Sequence, residues 1–170
     1  MTRICEPRPH ILWNCAVLKG MNTTYRRALL VALVLLALFV GGWAAAAPTG
    51  FYASFPGFGL HWVSSDGPYN EHLVRDVGDL YLGLGAASIA AIFSRSANPA
   101  RMIGLGWTVF NGLHLGYHLL HLGGSVFNRV GNTVSLSFVL ALAVLLMLPP
   151  RRRGRFVPGP GPAASDGVAQ

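Results

Sequence analysis

Charge is what this sequence has least of. Only 11% of its 170 residues are Asp, Glu, Lys or Arg, against about 25% in an ordinary soluble domain. Cysteine is nearly missing as well. Cys5 and Cys15 both precede the first apolar run, and their spacing matches no metal or redox motif. On the topology derived below they face a reducing compartment, so no disulfide is expected. Also missing are a glycine-rich phosphate loop, a CxxC pair and a Ser/His/Asp order. Gly83-Leu84-Gly85 reads as helix packing, not nucleotide binding. The net charge of +7 raises nucleic acid as a partner, but the basic residues sit beside apolar segments instead of forming a phosphate-reading patch. No nucleic-acid partner is expected.

Apolar sequence is what remains, at 52% of the chain. A helical crossing of a bilayer needs about 20 apolar residues, and four runs approach that length. They cover about 28–47, 77–93, 102–122 and 130–148. The first carries no charge; with Arg26-Arg27 ahead of it and Ala44–Ala47 at its end, it also invites a signal-peptide reading. Its apolar run is longer than the about 7–15 residues of a signal-peptide core, and three more runs follow. Gly78, Gly83, Gly85, Gly104, Gly106, Gly112 and Gly116 in the second and third runs permit close helix approach. Only closed hydrogen-bonded elements cross lipid, and long uninterrupted runs fit helices. The expected fold is all-α: a transmembrane four-helix bundle over residues 25–148, with an aromatic and polar extracytoplasmic loop between its first two helices.

The few basic residues orient that bundle. Arg3, Arg8, Lys19, Arg26 and Arg27 precede the first run, Arg95 and Arg101 separate the second and third, and Arg151, Arg152, Arg153 and Arg155 follow the fourth. Only Arg75 and Arg129 lie on the other side. The bias places both termini in the cytoplasm of a multi-pass protein of the cell membrane. Residues 1–24 read as a disordered cytoplasmic extension, with Met21 resembling a natural start. Residues 149–170 read as a basic, then Pro/Gly/Ala-rich disordered tail. Its four arginines are candidates for anionic lipid headgroups as well as topology signals.

Polar residues gather in two places. After an aromatic stretch from Phe51 to Val63, Asn70 is placed to cap a helix starting near Glu71. On that helix Glu71–Arg75, His72–Asp76 and Arg75–Asp79 are neighbours four residues apart, so Arg75 is expected between two carboxylates. Trp107, Asn111, His114, His118 and His121 follow steps of four and three, which lays them along one helix face. Imidazoles at membrane depth must face a bundle interior or a wet cavity. The expected polar pocket therefore combines Glu71, His72, Arg75, Asp76 and Asp79 with Asn111, His114, His118 and His121. Three uses stay open for it. The histidines could form a structural hydrogen-bond network, bind a metal ion or haem through His114, His118 and His121, or serve a proton- or quinone-linked step. Haem ligation needs histidines on two faces or helices, and near the bundle only His61 and His72 lie elsewhere.

The segment Phe51-Tyr52, Phe55-Pro56-Gly57, His61-Trp62-Val63, Gly67-Pro68-Tyr69-Asn70-Glu71-His72-Leu73, Arg75-Asp76-Val77-Gly78 and Leu80 resembles a group of small four-span membrane proteins of actinobacteria. It covers about residues 25–148 and is similar in general layout to DoxX-like proteins. The resemblance implies the topology and the histidine stripe but supplies no reaction. Leu113 stands where a proline is expected before the first stripe histidine, which implies a straighter helix here. The lipid bilayer is the expected partner, with a membrane protein or a second copy of the chain also open. The expected function is a membrane protein with an outward-facing polar pocket; the alternatives are a non-catalytic scaffold or accessory subunit, or a small carrier for proton-coupled or lipid-like substrates.

Overall fold

The computed structural model describes residues 24–121 and 123–149. The expectations for the N-terminal extension up to residue 23, for Cys5 and Cys15, and for Arg151, Arg152, Arg153 and Arg155 lie outside the described residues. The described chain is all-helical: α1 (Thr24–Ala46), α2 (Pro48–Ser54), α3 (Glu71–Phe93), α4 (Ala97–Leu120) and α5 (Val126–Met147). Of these, α1, α3 and α5 are long and apolar enough to cross a membrane. Helix α4 has the length, but its histidines and asparagine lower its hydropathy.

Each long helix begins before the apolar run that announced it, because caps and not hydrophobicity set helix starts. Asn70 accepts a hydrogen bond from the Leu73 amide at 3.2 Å, as its position suggested. Ser96 does the same for Asn98 at 3.3 Å, and Ser125 for Asn128 at 3.2 Å. Between α1 and α2, Pro48 disfavours helical geometry in the residue before it, and Ala47 takes φ −138°. The chain turns there and resumes as α2, a short helix within the segment expected to be loop.

Packing divides the helices into two closely joined pairs, α1 with α3 and α4 with α5, with sparser contact between the pairs. Small residues explain the first. A Cβ on Gly41 would lie 2.8 Å from the Gly78 carbonyl oxygen, and one on Gly78 would lie 2.7 Å from the Ala45 amide nitrogen. Gly85 likewise leaves no room against Ala37, at 2.8 Å. In the second pair, Gly104 faces the Ala143 carbonyl at 3.2 Å. Only three of the seven anticipated glycines thus mediate tight approach. Gly106 makes an ordinary contact, and Gly83, Gly112 and Gly116 face open space.

Two arginines close one end of the assembly. Arg26, fully buried, donates from Nη2 to the Leu148 carbonyl at 2.6 Å. Arg101 donates from Nε to the Met147 carbonyl at 3.1 Å. Both satisfy carbonyls at the C-terminal end of α5, where the helix leaves them without partners and the dipole favours cations.

Candidate functional site

At the opposite end from Arg26, the seam between the two helix pairs opens into a cavity of about 380 Å³. Its walls are mostly apolar: Leu36 and Val40 from α1, Val74 and Val77 from α3, Leu136 and Val139 from α5. An aromatic cluster roofs it. Phe51 and Phe55 pack at 4.5 Å between ring centroids, Trp43 lies 5.9 Å from Phe51, and Trp62 lies 6.0 Å from Phe55.

The loop from Phe55 to Asn70 is pinned over this roof by its own hydrogen bonds. Tyr52 donates to the Gly67 carbonyl at 2.6 Å, the Trp62 amide donates to the Phe55 carbonyl at 2.9 Å, and His61 Nδ1 pairs with the Ala53 carbonyl at 2.6 Å. A reversal at Gly57 and Gly59, with φ of 102° and 75°, needs the left-handed region that glycine enters freely. The loop thereby carries Asp66 inward.

Polar groups sit on one side of the cavity. His118 is nearly buried; its Nδ1 lies 3.1 Å from the Asn132 amide nitrogen and 3.6 Å from Asp66 Oδ2. The first distance is a hydrogen bond; the second is an electrostatic contact beyond bonding range. Burial pushes the Asp66 carboxyl above its ordinary range, and the facing His118 imidazole pulls it partly back. Asp66, His118, Asn132 and Trp62 also line a separate polar cleft, with His121, Asn128 and Arg129 around it. That cleft has room for about one water. The Asp66–His118–Asn132 set therefore forms a partition between a polar cleft and an apolar cavity.

His114 lies one turn along α4 from His118, with ring centroids 4.9 Å apart, and packs on Phe110 at 5.6 Å. Tyr81 of α3 meets the other side of Phe110 at 5.1 Å and Trp107 at 5.8 Å. Both His114 and Tyr81 line the cavity. Neither the His114 ring nor the Tyr81 hydroxyl has a hydrogen-bond partner among the described residues. Further along the stripe the polar groups are used structurally. Trp107 Nε1 donates to Ser88 Oγ at 3.0 Å, Ser88 donates to the Leu84 carbonyl at 2.8 Å, and buried Asn111 donates to the Trp107 carbonyl at 2.8 Å.

Of the nine residues of the expected pocket, only His114 and His118 line the cavity. None of Glu71, His72, Arg75, Asp76 and Asp79 lines the cavity. They stand on the exposed side of α3, with Glu71–Arg75 at 2.9 Å and His72–Asp76 at 3.4 Å. Arg75 is not held between two carboxylates: its second partner is the Ala45 carbonyl, and Asp79 is exposed. Such surface pairs contribute about 0–1 kcal/mol. His121 also leaves the stripe, because α4 ends at Leu120. Its ring stacks on Tyr117 at 4.2 Å and its Nδ1 pairs with the Tyr117 carbonyl at 3.0 Å. The three-histidine ligand set is therefore not brought together, and among the described residues no group of three or more His, Cys, Asp or Glu converges as a metal site requires.

Asp66, Asn132, Ser135 and Tyr81 are the cavity's unforeseen polar residues. Tyr81 carried a signal, since Val74, Gly78, Tyr81, Gly85 and Ser88 form the buried face of α3 in steps of four and three. Asp66 and Asn132 carried none, because a loop fold and an interhelical pairing leave no period in the sequence. No protein-family model, curated protein or solved structure matches this chain.

Proposed function

We propose that this protein is a four-span membrane protein whose cavity binds an apolar small molecule, in the manner of a lipid-like substrate carrier or receptor. The observation that carries the reading is the cavity itself. At about 380 Å³ it lies in the range of about 300–1,000 Å³ typical of ligand pockets, and it combines apolar walls with a few convergent polar groups.

Helix α4 is the fourth span on this reading. Its 24 residues extend about 36 Å at 1.5 Å per residue, enough for a hydrocarbon core of about 30 Å. Trp107, Asn111, His114 and His118 point inward, while Met102, Leu105, Val109 and Leu113 form an exposed apolar stripe in steps of three and four. A helix with an apolar outer stripe and a polar inner face suits lipid. Four spans return both ends to one side, and the basic bias favours the cytoplasm. This layout is the one expected of the small actinobacterial four-span proteins.

The competing uses fit less well. A metal centre needs three converging ligands, and His121 is drawn away. A pure scaffold expects every histidine to be hydrogen-bonded, as His61 and His121 are, whereas His114 has no hydrogen-bond partner among the described residues.

Two measurements test the reading. Reporter fusions after residues 95 and 149 should both score cytoplasmic; an external signal at residue 95 overturns the topology. Purified protein in lipid nanodiscs should bind a solvatochromic hydrophobic dye, and Leu136→Trp, which fills the cavity, should weaken binding at least tenfold while the protein stays folded by gel filtration. Dye binding unchanged by Leu136→Trp overturns the cavity as the site.

A further inference from the structure

The polar end of the cavity constrains the chemistry of what enters it. A ligand filling about 380 Å³ has over twice the space of an apolar cavity of about 150 Å³ that holds benzene, so a ring with a chain, or a folded chain, fits. Its charge is restricted by the lining. Among the described residues neither Lys nor Arg lines the cavity, so an anionic head would lose its hydration without a fixed cation opposite. The one carboxylate among the described lining residues, Asp66, stands 3.6 Å from His118 at the edge of the polar cleft, and its burial favours the protonated form, which weakens it as a partner for a cationic head. An isolated charge in such surroundings is strongly disfavoured.

Three polar lining side chains make neither a hydrogen bond nor an ion pair among the described residues: Tyr81, His114 and Trp62, whose Nε1 is fully enclosed and so not open to a guest. Tyr81 is only 5% exposed, its ring is held between Trp107 and Phe110, and its hydroxyl has no partner among the described residues. Neither this hydroxyl nor the His114 ring is among the fully enclosed side-chain atoms left without a partner, so each is open to the space beside it. Here the Tyr81 and His114 rings both pack on Phe110, and both residues border the cavity. A tyrosine hydroxyl and a neutral imidazole can each donate and accept one hydrogen bond. They complement a carbonyl or hydroxyl group, which needs no charge.

We infer that the cavity is a site for a neutral amphiphile, an apolar molecule with one carbonyl or hydroxyl end, whose polar end is held by Tyr81 and His114. The inference rests on the reading of the cavity as a ligand site and names the class of ligand. The Ser135 hydroxyl is not a third contact, because it already donates to the Gly131 carbonyl at 2.8 Å. The two helices α3 and α4 supply one group each, so the bound head bridges the seam between the tightly packed helix pairs.

The test uses a series of equal chain length (decanol, decanone, decanoate, decylamine and decane) to displace the hydrophobic dye from the full chain in nanodiscs. Decanol and decanone should bind about tenfold more tightly than decane, the loss expected for one net hydrogen bond. Decanoate and decylamine should be weaker than either. In Tyr81→Phe and in His114→Phe the advantage of decanol over decane should shrink while decane binding persists. If decanoate or decylamine binds tightest, or if both variants keep the full decanol preference, the neutral-head assignment is overturned. If decanol and decane bind equally to the unaltered chain, the cavity stands as an apolar site and the assignment alone falls. If no member displaces the dye, both fall. The ranking in the unaltered chain decides the matter even where a variant does not fold.

Discussion

His118 Nδ1 on α4 stands 3.6 Å from Asp66 Oδ2 on the loop between α2 and α3, between an apolar cavity and a water-sized polar cleft. The contact is the place where the loop engages the helices below it. Its energetics are dominated by burial of the carboxyl, which raises Asp66 above its ordinary 3.8. A raised value in the folded state means the fold holds the proton more tightly than the unfolded chain does. The associated stability is complete below the ordinary value and is lost as pH rises through the raised one. The melting temperature of the unaltered chain relative to Asp66→Asn should therefore increase as pH falls from about 7 to about 4. A thermal-denaturation series in nanodiscs reads this directly, and a difference that shrinks on acidification would mean that the ion pair, not burial, dominates.

Gly41 and Gly78 set the distance between α1 and α3. Gly78→Ala puts a methyl group against the Ala45 backbone nitrogen, which cannot move aside. Overpacking of this kind costs about 1–3 kcal/mol. Gly83→Ala on the same helix meets nothing within 4 Å and should be neutral or stabilising by up to about 1 kcal/mol through helix propensity. Equilibrium unfolding in mixed micelles of the two variants side by side separates interface strain from a general intolerance of alanine.

The buried Trp107–Ser88 hydrogen bond joins α4 to α3. Ser88→Ala should cost about 1–3 kcal/mol, because the indole N–H is left unpaired. Trp107→Phe in the Ser88→Ala background removes that orphan donor, so the double-mutant cycle should show a coupling of about 0.6–2 kcal/mol. A coupling near zero would assign Trp107 to packing alone.

Chelation should leave the protein unchanged. With His121 stacked on Tyr117 and only His114 and His118 adjacent, the purified chain should carry no stoichiometric transition metal by elemental analysis. Its melting temperature should be the same before and after dialysis against EDTA. A metal at one equivalent, lost in His118→Ala, would reverse this expectation.

The apolar runs were legible because their signal is local. Each long helix covers most of its run, and Asn70 caps α3 as its position suggested. The stripe from Trp107 to His118 was legible for the same reason: the 3.6-residue period maps sequence directly onto one face. The acidic cluster misled because neighbours at four-residue spacing are adjacent on a helix whichever way that face points. Glu71, Arg75 and Asp76 pair as expected or with backbone, yet they face away from the cavity. Asp66 was illegible because a loop of sixteen residues between Phe55 and Asn70 places it through hydrogen bonds such as Tyr52 to Gly67. His121 was misplaced by a single boundary, since the helix ends one residue before it.

The sparse seam between the two helix pairs has a mechanical consequence. Close interfaces built on Gly41, Gly78 and Gly104 resist deformation, because backbone is in contact with backbone. Compliance is then concentrated between the pairs, where the cavity lies, and the easiest motion of the molecule is a hinging of one rigid half against the other. Cavity volume and hinge angle become a single variable. On the reading of the cavity as a ligand site, a larger guest would wedge the halves apart and a smaller one would let them settle.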